Sequence, residues 1–133
     1  MRHGGLVQQF EREFAAYVGA KYAIAASNGT VTLQAALIAL GVKARDRVAV
    51  PPLTMSATSI AVLNIGAKPA FVDVDEQTWL MASHVARHEI PEASIGVSLY
   101  GLHFGGRCAI DDAAQTLRPH GSAAFTSYSF QAS

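Results

Sequence analysis

Short apolar runs, each too brief for a helix, recur along this chain with polar turns between them: "KYAIAA", "RVAV", "AFVDVD", "ASIGVSLYG", "RCAIDD" and "AFTSYSF". Segments of helical length, "VTLQAALIALG" and "SATSIAVLNIG", separate the first three. Near-continuous apolar strands are buried on both faces, and strands alternating with helices build a mostly parallel sheet flanked by helices. The predicted fold class is therefore α/β. Ahead of the strands, Leu6, Phe10, Phe14, Tyr17 and Val18 fall at helical spacing, with Gln9, Glu11, Arg12 and Glu13 between them. That spacing predicts an amphipathic helix stopped at Gly19. Pro51 and Pro52 stop the "RVAV" strand, and "SHVARHEI" predicts a helical turn. Parallel neighbours need about a dozen connecting residues. Residues 101–107 offer too few, so the crossover helix due there is missing.

Composition narrows the function classes. A chain of 133 residues, 50% of them apolar, is one domain with material for a core. Lys plus Arg and Asp plus Glu number 10 each, without a basic stripe, which argues against nucleic acid as the main partner. No polybasic segment points to a membrane surface, and no apolar run reaches the length of a span. The opening "MRHGGLVQQFERE" lacks the apolar core of a signal peptide. Cys108, the sole cysteine, is expected as a buried structural thiol within a strand, which fits a cytoplasmic location.

Several stretches are candidates for chemistry. "SNGT" lies between a strand and a helix start, where unpaired N–H groups and the helix dipole favour an anion. Gly29 allows close backbone approach. The same turn also reads as a plain cap on Ser27, Asn28 or Thr30. "AIDDAAQ" ends a strand with two carboxylates, at the edge where parallel sheets collect ligands. Successive strand residues point to opposite faces, so only one of Asp111 and Asp112 faces a given pocket. A carboxylate there suits a cationic ring nitrogen, and it equally suits a solvated strand end. His84 and His88, beside Glu89, share a face on a helix, but no third metal ligand stands at a recognisable spacing. Ser129 alternates with Tyr128 and Phe130 and so points away from those aromatics.

In this order, "FEREFAAYVGAKYAIAASNGT", "ALIALGV", "VAVPPLTMSATSIAVLNIGAKPAFVDVD", "LYG", "DDAAQ" and "YSF" resemble the DegT/DnrJ/EryC1/StrS sugar aminotransferases, fold-type-I enzymes dependent on pyridoxal 5'-phosphate. The likeness covers nearly the whole chain. It implies that residues 1–133 are the N-terminal part of the cofactor-binding large domain, without the C-terminal small domain. It implies that Gly29 and Thr30 hold the cofactor phosphate, with Ser129 as a second contact. Asp112 would pair with the pyridine nitrogen, and Gln115 with the phenolate oxygen. The family's Schiff-base lysine is expected just after Ser133, so no transamination is expected of these residues alone.

The chain departs from the family pattern in three places. Met55 stands where members carry an aromatic residue stacked on the ring. The stretch between "LYG" and "DDAAQ" lacks a helix, and "TLRPHGSAAF" is short. The implied activity is transfer of an amino group, commonly from glutamate, to a keto nucleotide-sugar, by a homodimer. Two other readings stay open. One is a non-catalytic module that binds a partner or a phosphate ligand. The other is a dehydratase of the same family with His in place of the lysine.

Overall fold

The computed structural model describes residues 3–82, 93–117, 119 and 121–130. Three helices, α1 (His3–Val18), α2 (Gly29–Ala39) and α3 (Ser56–Asn64), accompany five strands. The strands are β1 (Arg47–Val50), β2 (Lys68–Phe71), β3 (Ala93–Val97), β4 (Ile110–Asp112) and β5 (Phe125–Ser127). Every neighbouring pair is parallel, in the order β2-β1-β3-β4-β5. The chain steps outward from β1 to β2 and then returns to β3 on the other side. That reversal opens a crevice at the carboxyl ends of the strands, where Val50, Val97, Asp112 and Ser127 lie.

Helices α2 and α3 pack on each other and on the sheet, α2 against β4 and β5, and α3 against β1 and β2. Their inward side chains Leu33, Leu37, Ala61 and Val62 form one core with Val48, Val50, Ile95 and Ile110. The register sets Ile110 beside Ile95, and Asp112 beside Val97 and Ser127. The other face carries Gly96, Asp111 and Thr126 side by side. No helix bridges β3 and β4, as the short connection requires. Phe104 takes that place, 4% exposed, lying on Gly96 where a side chain would collide with its ring.

Helix α1 starts at His3 and runs to Val18 before Gly19, whose φ of 71° only glycine adopts freely. Phe14 meets Tyr128 and Phe130 edge-on, at ring centroid distances of 5.1 Å each. Those two aromatics thus gather on Phe14.

Four local expectations change. "KYAIAA" forms no strand: Tyr22 and Ile24 are exposed, and the Ala25 N–H donates to Glu11 Oε1 at 2.9 Å. An apolar run becomes a strand only when an edge is there to pair with it, and none of the five strands pairs with this one. Strand β5 ends at Ser127, although alternation runs on through Phe130. Cys108 precedes β4 and is half-buried rather than inside the strand. Strand β2 begins at Lys68 and ends at Phe71, earlier than "AFVDVD" suggests, with Val72 still bonded to Val50 O at 3.0 Å. The helical turn expected of "SHVARHEI" lies outside the described residues.

Candidate functional site

The carboxyl edge of the sheet gathers the groups that can bind. Helix α2 opens on Asn28, whose extended backbone (φ −167°) leads the chain into the turn. Its Oδ1 accepts the Val31 N–H at 3.0 Å and its carbonyl accepts Thr32 N–H at 3.2 Å. Of the three caps the turn offered, Asn28 is therefore the one used. The N–H groups of Gly29 and Thr30 find no acceptor among the described residues. They are open donors at the positive end of a helix dipole.

Ser129 faces this turn. A Cβ placed on Gly29 would stand 4.0 Å from Ser129 Cβ. The approach is set by hydroxyls one turn inward, where Thr32 Oγ1 and Ser127 Oγ lie 2.6 Å apart. Thr32 spends its proton on Gly29 O at 2.7 Å, so Ser127 is the donor between them. Helix and strand are thus bolted together directly beneath the Gly29 turn.

Asp112 and Asp111 part as strand alternation predicts. The Asp112 carboxylate turns toward α3 and is 6% exposed. Thr58 donates from Oγ1 to Oδ2 at 3.0 Å, and the Ala114 N–H donates to Oδ1 at 3.3 Å. Burial pushes its pKa above the usual carboxylate range, partly offset by the Thr58 and Ala114 hydrogen bonds, with Asp111 adding to the rise. Among the described residues no lysine or arginine forms an ion pair with it. Asp111 turns to the other face, where Ser98 donates to its Oδ1 at 3.2 Å and His103 Nδ1 lies 3.9 Å from its Oδ2.

Gln115 is exposed and held by its oxygen: Oε1 accepts the Tyr100 N–H at 3.2 Å. Its Nε2 group is left to donate outward. Gln115 and Ser129 line one small hollow of about 240 Å³. A larger groove of about 870 Å³ runs from Ser129 and Gly29 along α2 to Ile24 and Phe14. Asp112 lines neither, its carboxylate held by Thr58 and the Ala114 N–H. Met55 sits in the loop after β1, extended (φ −62°, ψ 142°), with its side chain exposed at the start of α3.

The lysines stand elsewhere. Lys68 begins β2 and Lys43 precedes β1, both at the amino edge of the sheet, while Lys21 Nζ lies 5.2 Å from the Tyr22 ring. Among the described residues no group of three or more His, Cys, Asp or Glu could hold a metal. His84, His88 and Glu89 lie outside the described residues. No described helix is long and apolar enough to cross a membrane.

Reading the sequence did not single out Thr58, Thr54, Ser127 or Tyr100. The signal for the first two was available: "TMSATS" sets two threonine hydroxyls four apart at the entry to α3, where they meet on one face. Nothing local indicated that this face would meet Asp112.

A sequence profile of the DegT/DnrJ/EryC1/StrS aminotransferase family matches residues 1–129. The spore coat polysaccharide biosynthesis protein SpsC of Bacillus subtilis (strain 168) is 39% identical over 119 residues, covering 89% of this chain and 30% of SpsC. GDP-perosamine synthase of Escherichia coli O157:H7 is 43% identical over 101 residues, covering 74% of this chain and 28% of the synthase. The crystal structure of NtdA from Bacillus subtilis, with its cofactor PMP bound, superposes with a TM-score of 0.78 at 30% identity. That match covers 86% of this chain and 29% of NtdA. The chain spans less than a third of the length of each of these three proteins.

Proposed function

The chain belongs to the DegT/DnrJ/EryC1/StrS aminotransferase family, and from that premise we propose that it supplies the N-terminal part of a pyridoxal-phosphate site for amino transfer to a keto nucleotide-sugar. The observation that carries this reading is Asp112, a buried carboxylate at a strand end with hydroxyl and amide donors and, among the described residues, no lysine or arginine paired with it. Such a group gains most from a protonated ring nitrogen, which restores the charge balance that burial removed.

The other residues fit the remaining parts of the cofactor. The open N–H groups of Gly29 and Thr30 suit a phosphate dianion at the α2 N-terminus. The Ser129 hydroxyl adds a donor from the facing strand end. Gln115, anchored through Oε1, presents Nε2 to the ring oxygen. Met55 offers an apolar, polarisable flank to the ring, weaker in stacking than an aromatic side chain. Pyridoxal phosphate, once bound, supplies an electron sink for the carbon that gives up or receives the amino group. Asp112 keeps the proton on the ring nitrogen, on which that capacity depends.

Lys21, Lys43 and Lys68 make no contact with Asp112, and two of them lie at the opposite edge of the sheet. Binding by these residues alone is therefore non-covalent, and transamination by the isolated chain is not expected. The family's homodimeric state and its sugar substrate extend to the longer protein as part of this proposal.

The test is titration with pyridoxal phosphate followed by absorbance. Asp112→Asn should weaken binding about tenfold, the worth of roughly 1.4 kcal/mol for one charge-assisted contact. Asp111→Asn, on the opposite face, should leave the dissociation constant within twofold. Equal effects from both substitutions refute the assignment. So does a borohydride-stable adduct on one of the three lysines.

A further inference from the structure

The hydroxyls of Thr54 and Thr58 lie 3.1 Å apart, and Thr58 Oγ1 lies 3.0 Å from Asp112 Oδ2. Proton counting fixes the direction of this chain. An ionised carboxylate only accepts, so Thr58 gives its single proton to Asp112. Thr58 Oγ1 then has lone pairs alone to offer, so Thr54 must be the donor to it. The order is Thr54 to Thr58 to Asp112. Thr58 is fully buried in the first turn of α3, and Thr54, half-buried, lies in the loop just before its Met55 cap.

We propose that Thr58, backed by Thr54, is a positioning residue that holds Asp112 as an oriented, ionised acceptor for the cofactor ring nitrogen. The proposal rests on the reading that Asp112 receives that nitrogen. With Thr58 on Oδ2 and Ala114 N–H on Oδ1, both oxygens are held and the carboxylate plane cannot rotate freely. Both bonds favour the charged form against burial.

Among the described residues no side chain other than Thr58 does this work. Helices α2 and α3 carry no charged side chain, and neither do β3 and β5. Val97 and Ser127 flank Asp112 across the sheet. Among the described residues the charge that acts on it is Asp111 on the other face, itself facing His103, and it opposes ionisation of Asp112.

The experiment measures pyridoxal phosphate affinity of the whole chain from pH 5 to 8.5, for the unaltered protein, Thr58→Val, Thr58→Ser and Thr54→Val. Thr58→Val keeps the shape and removes the donor. Its acid limit of binding should move up by about one pH unit, since a hydrogen bond to a charged group is worth about 1.5 kcal/mol or more. Thr58→Ser should restore the original profile. Thr54→Val should shift it the same way by less, and it serves as the decisive variant if Thr58→Val does not fold. A uniform loss of affinity with an unmoved pH profile in both valine variants would show a structural role only and overturn the proposal. Asp112→Asn separates the two levels. If it weakens binding while the threonine variants behave like the unaltered chain, the relay alone is refuted. If it leaves binding unchanged, or the unaltered chain does not bind at all, the cofactor reading falls and the relay with it.

Discussion

Gly96→Ala should destabilise the protein although it adds a single methyl group in an ordinary strand conformation. The added Cβ would overlap Phe104 Cδ1 and stand 2.5 Å from its Cε1 and 3.0 Å from Cys108 Sγ. Phe104 cannot swing aside cheaply. It is 4% exposed, and its own N–H is tied to Ser98 Oγ at 3.1 Å. Overpacking of this kind costs about 1–3 kcal/mol. Replacing a glycine by alanine recovers about 0.4–1 kcal/mol through the unfolded chain. The net loss is then centred on about 1.3 kcal/mol, within about 0–2.6.

Urea unfolding followed by circular dichroism reads this directly. With an m-value of about 1.5–2 kcal/mol/M, the midpoint should fall by about 1 M. Gly105→Ala is the control, because nothing lies within 4 Å of its added Cβ, and it should stay within about 0.5 kcal/mol. Adding Phe104→Leu to Gly96→Ala should cost less than the two single changes summed, since the smaller side chain makes room. An unchanged midpoint for Gly96→Ala would refute the claim that Phe104 is the lid on this face of the sheet.

Other consequences are open to measurement. Burial pushes the Cys108 thiol from 9.0 up to about 11, Asp111 adding to the rise and a Gly96 backbone hydrogen bond partly offsetting it. A raised folded pKa means stability is intact below pH 9 and falls as pH climbs toward 11. Cys108→Ala should flatten that part of the urea-midpoint profile, and an equal slope in both proteins would refute the assignment. Ser127→Ala removes the donor to Thr32 and should cost about 1 kcal/mol, seen as a lower melting temperature; no change would show that the bolt between β5 and α2 is idle. Among the described residues no strand pairs with the outer edges of β2 and β5, and Tyr22, Leu63 and Phe71 are exposed, so the isolated chain should self-associate. Light scattering after size exclusion should give a mass above 14.0 kDa, and a monodisperse monomer with cooperative unfolding would contradict this.

The fold class was legible because it is written in local periodicity. "RVAV" became β1 residue for residue, and "SATSIAVLNIG" became α3 with its last two residues trimmed. The too-short link before β4 correctly told that no helix would bridge it. The split between Asp111 and Asp112 followed from strand alternation alone. "KYAIAA" misled because apolar composition states only a preference for burial, and the pairing edge that would make it a strand is a property of the assembled sheet.

The sequence by itself thus determined most of the elements, their parallel class and the split of Asp111 and Asp112 between faces, because each depends on neighbours within a few residues. Only the tertiary structure decided which of those faces meet. Thr58 reaches Asp112 across 54 residues, and Ser127 reaches Thr32 across 95. Strand order brings these partners to one edge, and no residue-level pattern encodes strand order. It emerges from which faces can be buried together, and that is settled by the whole core at once.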